Sequence, residues 1–166
     1  MATIAIYLCG AIALLAALLL IAGQAGWLSG SPPTGLGVRG GLLKPPSRTP
    51  NSVSSQADRH AGSDALVDYA RIAPLAGGGD VTATMARLRA TIEAMPGARI
   101  IEARPDYIYA QFTTRWLKFT DDAEFWASPT EGVIHVRSAS RLGRKDFGVN
   151  RARIEQLRAA LAAAAL

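Results

Sequence analysis

The side chains best suited to chemistry gather near the C-terminus. Residues 137–153, RSASRLGRKDFGVNRAR, carry six basic side chains and one acid, Asp146, a net of +5 that equals the formal charge of the whole 166-residue chain. Arg151 and Arg153 fall in the first turn of a predicted helix, where the macrodipole disfavours cations and where helix N-termini attract anions. Cations placed there point to an anionic partner, a phosphate or a carboxylate. The candidate ligand-binding set is Arg137, Ser138, Ser140, Arg141, Asp146, Asn150 and Arg151, with Tyr107, Tyr109 and His135 beside it. The competing expectation is structural: Arg137 and Arg141 pair with Asp122, Glu124 or Asp146 and lock the loop.

Asp121 and Asp122 are the second candidates, since adjacent carboxylates can bind a metal or share acid–base work. In a regular strand they point to opposite faces and cannot chelate together without a bulge. An inward Asp121 needs a partner, and an arginine is the obvious one. A hydrolase-like site would draw on Asp121, Asp122, Ser138 or His135, and it requires them to converge. His60 and His135 stand alone in their segments, and there is no H-E-x-x-H, P-loop or G-x-S-x-G. The single cysteine, Cys9, excludes an intrachain disulfide and a cysteine-based zinc site. No metal and no cofactor is expected, and catalytic residues are not assigned.

The elements that must position these groups follow from periodicity. Asp80 caps a helix whose Val81, Met85, Leu88, Ile92 and Met95 share one face, with Pro96-Gly97 as the stop. Four strand-like runs follow at about 98–104, 106–115, 117–127 and 132–141, and their short connections imply antiparallel neighbours. Asn150 is expected to cap a last helix over 151–164, with Ile154, Leu157 and Leu161 inward. The expected fold is α+β: a two-layer domain with a four-stranded antiparallel sheet and two helices on one face. Alternation puts Ile108, Ala110, Phe112, Ile134 and Val136 toward the helices, with Leu117, Phe119 and Phe125 on one face of the third run. Tyr107, Tyr109, Trp126, His135, Arg137 and Arg141 belong to an opposite, open face, solvated as antiparallel sheets commonly are.

The N-terminus is a different material. Residues 3–22 are 20 positions without a charge, long enough as a helix to cross a bilayer. An uncleaved anchor is expected over residues 1–25, because no Lys or Arg precedes the run and it exceeds a usual signal core; a cleaved signal peptide is the alternative. Residues 26–49, rich in Gly, Pro and Ser, read as a linker. They contain GLGVRG at 35–40, a G-x-G-x-x-G match rejected because prolines rather than a strand and a helix surround it. The globular domain then spans 50–166.

Several segments are similar to one family. They are PNSVSS at 50–55, IAPL at 72–75, KFTDD at 118–122, and VRSASRLG at 136–143 continuing through DFGVNR at 146–151. With these the chain resembles the family designated domain of unknown function 1499, from about residue 50 to the C-terminus. Many members carry a cysteine where this chain has Ser52, so any role of that thiol is absent. The resemblance implies a bacterial or plastid-type protein, often membrane-associated, and brings no established activity or catalytic residues.

The expected function is thus a membrane-anchored binding or accessory module. Its basic surface would take an anionic ligand, a lipid headgroup or a protein partner, with nucleic acid improbable at a membrane. The alternatives are the hydrolase-like enzyme and a structural envelope protein. The expected location is a single-pass protein of a bacterial inner membrane with its domain on the periplasmic side.

Overall fold

The computed structural model describes residues 1–60, 62 and 65–164. The first element, α1, is a helix over Ala2–Gln24 with no charged residue and a mean hydropathy of 2.8 over an 18-residue stretch of it. At 1.5 Å per residue it spans about 35 Å, long and apolar enough to cross a membrane.

The domain is α+β. After β1 (Ser52–Ser54), a 3-10 turn (Ala57–His60), a one-turn α2 (Val67–Ala70) and β2 (Leu75–Ala76) comes α3 (Val81–Glu93). The Asp80 carboxylate accepts the Ala83 amide at 3.0 Å, the expected cap. The antiparallel strands β3 (Ala98–Arg104), β4 (Tyr107–Thr113), β5 (Thr120–Ala127) and β6 (Val133–Ser140) then form a meander, and α4 (Val149–Ala163) closes the chain.

The sheet has six strands rather than the four expected. Beyond the meander, β1 and β2 both pair antiparallel with β6, giving the order β1-β6-β5-β4-β3 with β2 also on the β6 edge. Three- and two-residue strands carry too little alternation to register as strands in a sequence. Helices α3 and α4 cover one face, where Met85, Leu88, Ile92, Ile154 and Leu157 pack on Ile108, Phe112, Phe125, Ile134 and Val136.

The other face is not open. Residues 36–43 lie across it as a strap, with Leu43 2 % exposed against Tyr107, Tyr109 and Trp126, and with Leu36 and Val38 alongside. The side chain of Gln56 holds the strap: its Oε1 accepts the Leu43 amide and its Nε2 donates to the Gly41 carbonyl, both at 2.9 Å. Two further corrections concern local structure. Lys118 sits at φ 57, which interrupts alternation, so Leu117 and Phe119 belong to the β4–β5 turn rather than to the strand. The residue before the first turn of α4 is Gly148, at φ 82, so Asn150 lies inside the helix with its side chain fully buried.

Candidate functional site

The sequence-predicted residues separate onto two faces of the sheet. On the strap face, the Arg141 guanidinium donates to both oxygens of Asp122, at 2.7 and 2.8 Å. Tyr109 Oη donates to the same carboxylate at 2.5 Å. Two residues along each strand, on the same face, Tyr107 Oη donates to Glu124 Oε1 at 2.8 Å, and the Gly37 amide of the strap donates to the same oxygen at 2.7 Å. Gly37 does so at φ 96, a conformation open chiefly to glycine, which gives the rejected dinucleotide motif a structural purpose.

Arg137 is 4 % exposed; its Nε donates to the Pro45 carbonyl, and its Nη1 stands 3.8 Å from Glu124 Oε2. Burial presses its guanidinium below the ordinary value, while Glu124, Asp122 and Tyr107 pull the other way. Burial also raises the Tyr107 phenol far above its usual range, with the Glu124 charge adding to the effect. Tyr109 is raised for the same first reason, and by its hydrogen bond to Asp122.

On the helix face, Asn150 is the hub. Its Oδ1 accepts from Ser138 Oγ at 2.6 Å and from Arg153 Nη1 at 2.7 Å. Its Nδ2 reaches Ser140 Oγ, the Asn51 carbonyl and Asp146 Oδ2 at 3.0–3.2 Å. Arg153 completes this layer by pairing with Asp121 at 2.5 Å, the arginine partner expected for that carboxylate. Arg151 donates to the carbonyls of Tyr69 and Arg71, tying α4 to α2.

Arg137, Arg141 and Arg151 therefore all have partners inside the protein; for Arg137 and Arg141 these include the carboxylates named in the structural alternative, and for Arg151 they are backbone carbonyls. Nor do the hydrolase candidates meet. Ser138 and Asp121 face the helices, while His135 and Asp122 face the strap. His135 instead stacks on Trp126 at 5.6 Å and lies between Ser55 Oγ at 3.1 Å and Glu131 Oε1 at 3.3 Å. That line has the order of a nucleophile, base and acid. However, Ser55 Oγ already accepts the Val136 amide at 2.9 Å, and none of the described clefts is lined by Ser55 or His135. Among the described residues, no cluster of His, Cys, Asp and Glu is placed to hold a metal.

Uncommitted groups lie instead at the end of the domain that meets α1. The Gln24 side chain donates to the Trp116 carbonyl at 2.7 Å, and a Cβ on Gly23 would stand 2.8 Å from Leu117 Cα. Further along, a Cβ on Gly30 would stand 2.8 Å from Arg141 Cβ and 3.1 Å from Leu142 Cγ. The β4–β5 turn thus abuts the last turn of α1, and the start of the β6–α4 loop abuts Gly30, six residues further on. They expose Trp116 (62 %), Leu142 (41 %) and Phe147 (92 %), and Trp27 (77 %) follows the helix itself. Arg115, Lys118, Arg144 and Lys145 stand among them, and among the described residues no carboxylate lies within ion-pair distance of any of these four.

Beside the β4–β5 turn opens a cleft of about 760 Å³ between the start of β3, the end of β4 and the first turns of α4. Its floor includes Met95, Phe112, Val149 and Ala152, with Arg115 and Lys118 at the turn. Sequence reading passed over this end because Trp116, Phe147 and Leu142 look like ordinary members of polar loops. The available signal was large apolar residues set directly beside Arg and Lys in two connections.

The fold defines a single α+β domain behind an apolar N-terminal helix. The family model described as "Protein of unknown function (DUF1499)" matches residues 42–161, and the chain belongs to that family. The match begins at residue 42, within the strap. No curated protein and no solved structure matches the chain.

Proposed function

We propose that this protein is a single-pass, membrane-anchored binding module that presses the α1-proximal end of its domain onto an anionic lipid surface. The observation that carries this reading is the seating of the β4–β5 turn, with Arg115, Trp116 and Lys118, against the end of α1, while the β6–α4 loop begins against Gly30 just beyond it. Trp side chains at the end of a spanning helix suit the headgroup level, where one side of the ring is apolar and the other wet. Each cation near an anionic surface contributes about 1 kcal/mol. Arg115, Lys118, Arg144 and Lys145 together exceed thermal energy several-fold and hold the domain down.

An uncleaved α1 fits the same picture, because Gly23 and Gln24 belong to the packed end of the domain. The reading places the domain on the periplasmic side of a bacterial inner membrane. The first basic residue after α1 is Arg39, too distant for a strong pull toward the cytoplasm.

The test uses the full chain in nanodiscs of zwitterionic lipid, with or without added anionic lipid. Amide exchange is followed over residues 114–119 and 141–148. Slower exchange with anionic lipid, reversed at high salt, is the expected result. Identical exchange in both discs would sink the proposal.

A further inference from the structure

We infer that the cleft between β3, β4 and α4 binds one long-chain anionic amphiphile, a fatty carboxylate drawn from the membrane. This rests on the reading that the α1-proximal end lies on the bilayer, and adds a defined ligand site to it.

Three independent features converge on that ligand. The first is size and polarity. A cleft of about 760 Å³ falls within the range of roughly 300–1,000 Å³ typical of small-molecule sites. Met95, Phe112, Val149 and Ala152 give it an apolar floor, and Val149 remains 48 % exposed at the first residue of α4. A small soluble anion would leave that floor unfilled.

The second feature is charge. Arg153, Arg115 and Lys118 line the cleft and no carboxylate does. Asp121 neutralises Arg153, whose guanidinium also lies 4.5 Å over the Phe112 ring. Arg115 lies 4.9 Å over the Trp116 ring and, like Lys118, has no carboxylate among the described residues. The cations therefore stand ready for the head of a ligand whose chain runs inward over Phe112 and Met95. A neutral lipid would leave both charges unanswered.

The third feature is access. The turn that carries Arg115 and Lys118 also carries Trp116 and Leu117, the residues that touch the end of α1. The cleft's cations thus stand on the same turn that meets the end of α1, which is where a chain leaving the bilayer would enter. Backbone strain marks the same turn. Lys118 holds φ 57, a conformation uncommon for lysine, fixed by the Thr114 amide donating to the Phe119 carbonyl at 2.9 Å and the Phe119 amide donating to Thr114 Oγ1 at 3.0 Å. Such strain collects at ligand sites, where it aims a side chain.

The experiment uses the full chain in zwitterionic nanodiscs and a long-chain fatty acid bearing a photoactivatable diazirine, with the matching fatty alcohol as a second probe. Cross-linked peptides are mapped by mass spectrometry. The expected label falls on β4, its following turn and the start of α4, and excess unlabelled fatty acid removes it. Ala152→Trp, on an exposed position of the helix, fills the cleft and lowers the label about tenfold or more. Gln156→Trp provides a second block should the first variant misfold. Lys118→Glu lowers labelling by the acid and leaves labelling by the alcohol unchanged. Label confined to α1, equal labelling of wild type by acid and alcohol, or full labelling of both tryptophan variants would overturn the assignment. Should amide exchange still slow on anionic discs in any of those cases, the membrane-seated module stands and only the ligand site falls.

Discussion

The Arg141 guanidinium grips the Asp122 carboxylate through two hydrogen bonds, at 2.7 and 2.8 Å, with side-chain exposures of only 7 % and 2 %. Tyr109 completes the shell of the carboxylate, and the hydroxyl of Tyr109 in turn accepts from Gln111 at 2.9 Å. A buried pair with its remaining hydrogen-bonding capacity met behaves very differently from an anion-binding arginine. Removing the arginine strands a charge in a place water reaches poorly.

Arg141→Met is therefore expected to cost about 3–5 kcal/mol of stability, as is Asp122→Asn. Replacing both together with apolar residues of similar volume should cost much less than the sum, because neither charge is left behind. The check is denaturant unfolding followed by the buried Trp126. Single variants that unfold like wild type would return Arg141 to the list of ligand-binding residues.

The strap carries the second prediction. Leu43 is 2 % exposed in the small apolar cluster on the outer face, so Leu43→Ala should destabilise the domain by about 2–5 kcal/mol. A free linker would give no effect. Gln56→Ala should weaken the same segment, since the strap loses both hydrogen bonds at once. Proteolysis within residues 36–43 measures it: faster cleavage in both variants supports a docked strap, and unchanged cleavage contradicts one.

Much of this architecture is readable from residue order, and the unreadable parts share a cause. The faces of α3 and of β4 follow from repeats of 3.6 and 2, so Leu88, Ile92, Ile108 and Phe112 declare their side without help. The Asp121 partner follows from the cost of burying a carboxylate alone. By contrast, what covers Tyr107 and Trp126 is decided by a Gly- and Pro-rich segment that has no period. Only Leu36, Val38 and Leu43 distinguish that segment from a tether, and a linker composition outweighed them. The cation cluster left two readings open for a related reason: a row of arginines reads as surplus charge until the carboxylates on the adjacent strand are known to face it. The cleft could not be read at all, since Met95, Phe112 and Val149 come from three elements.

The acid response of the loop before α4 is the last prediction. Asp146 is buried, and burial by itself raises a carboxyl pKa. Hydrogen bonds from Tyr69, Gly148 and Asn150 outweigh that cost and hold the group below its ordinary value. Tyr69 Oη stands at 2.6 Å, and the amides of Gly148 and Asn150 at 3.1 Å. These are the first free amides around the start of α4, so the carboxylate does the capping that Asn150 was expected to supply. Because the folded value lies below the unfolded value of about 3.9, the stabilisation is complete above that pH and fades as pH falls through the folded value. Asp146→Asn should lower stability at neutral pH by about 1–3 kcal/mol, because one oxygen becomes a donor facing donors. It should also remove part of the acid sensitivity, so the wild-type and variant stability curves converge as the pH drops below about 4. Unfolding curves of the two proteins measured across that range decide it. Curves that stay parallel would mean the Asp146 carboxylate draws no net stability from these hydrogen bonds.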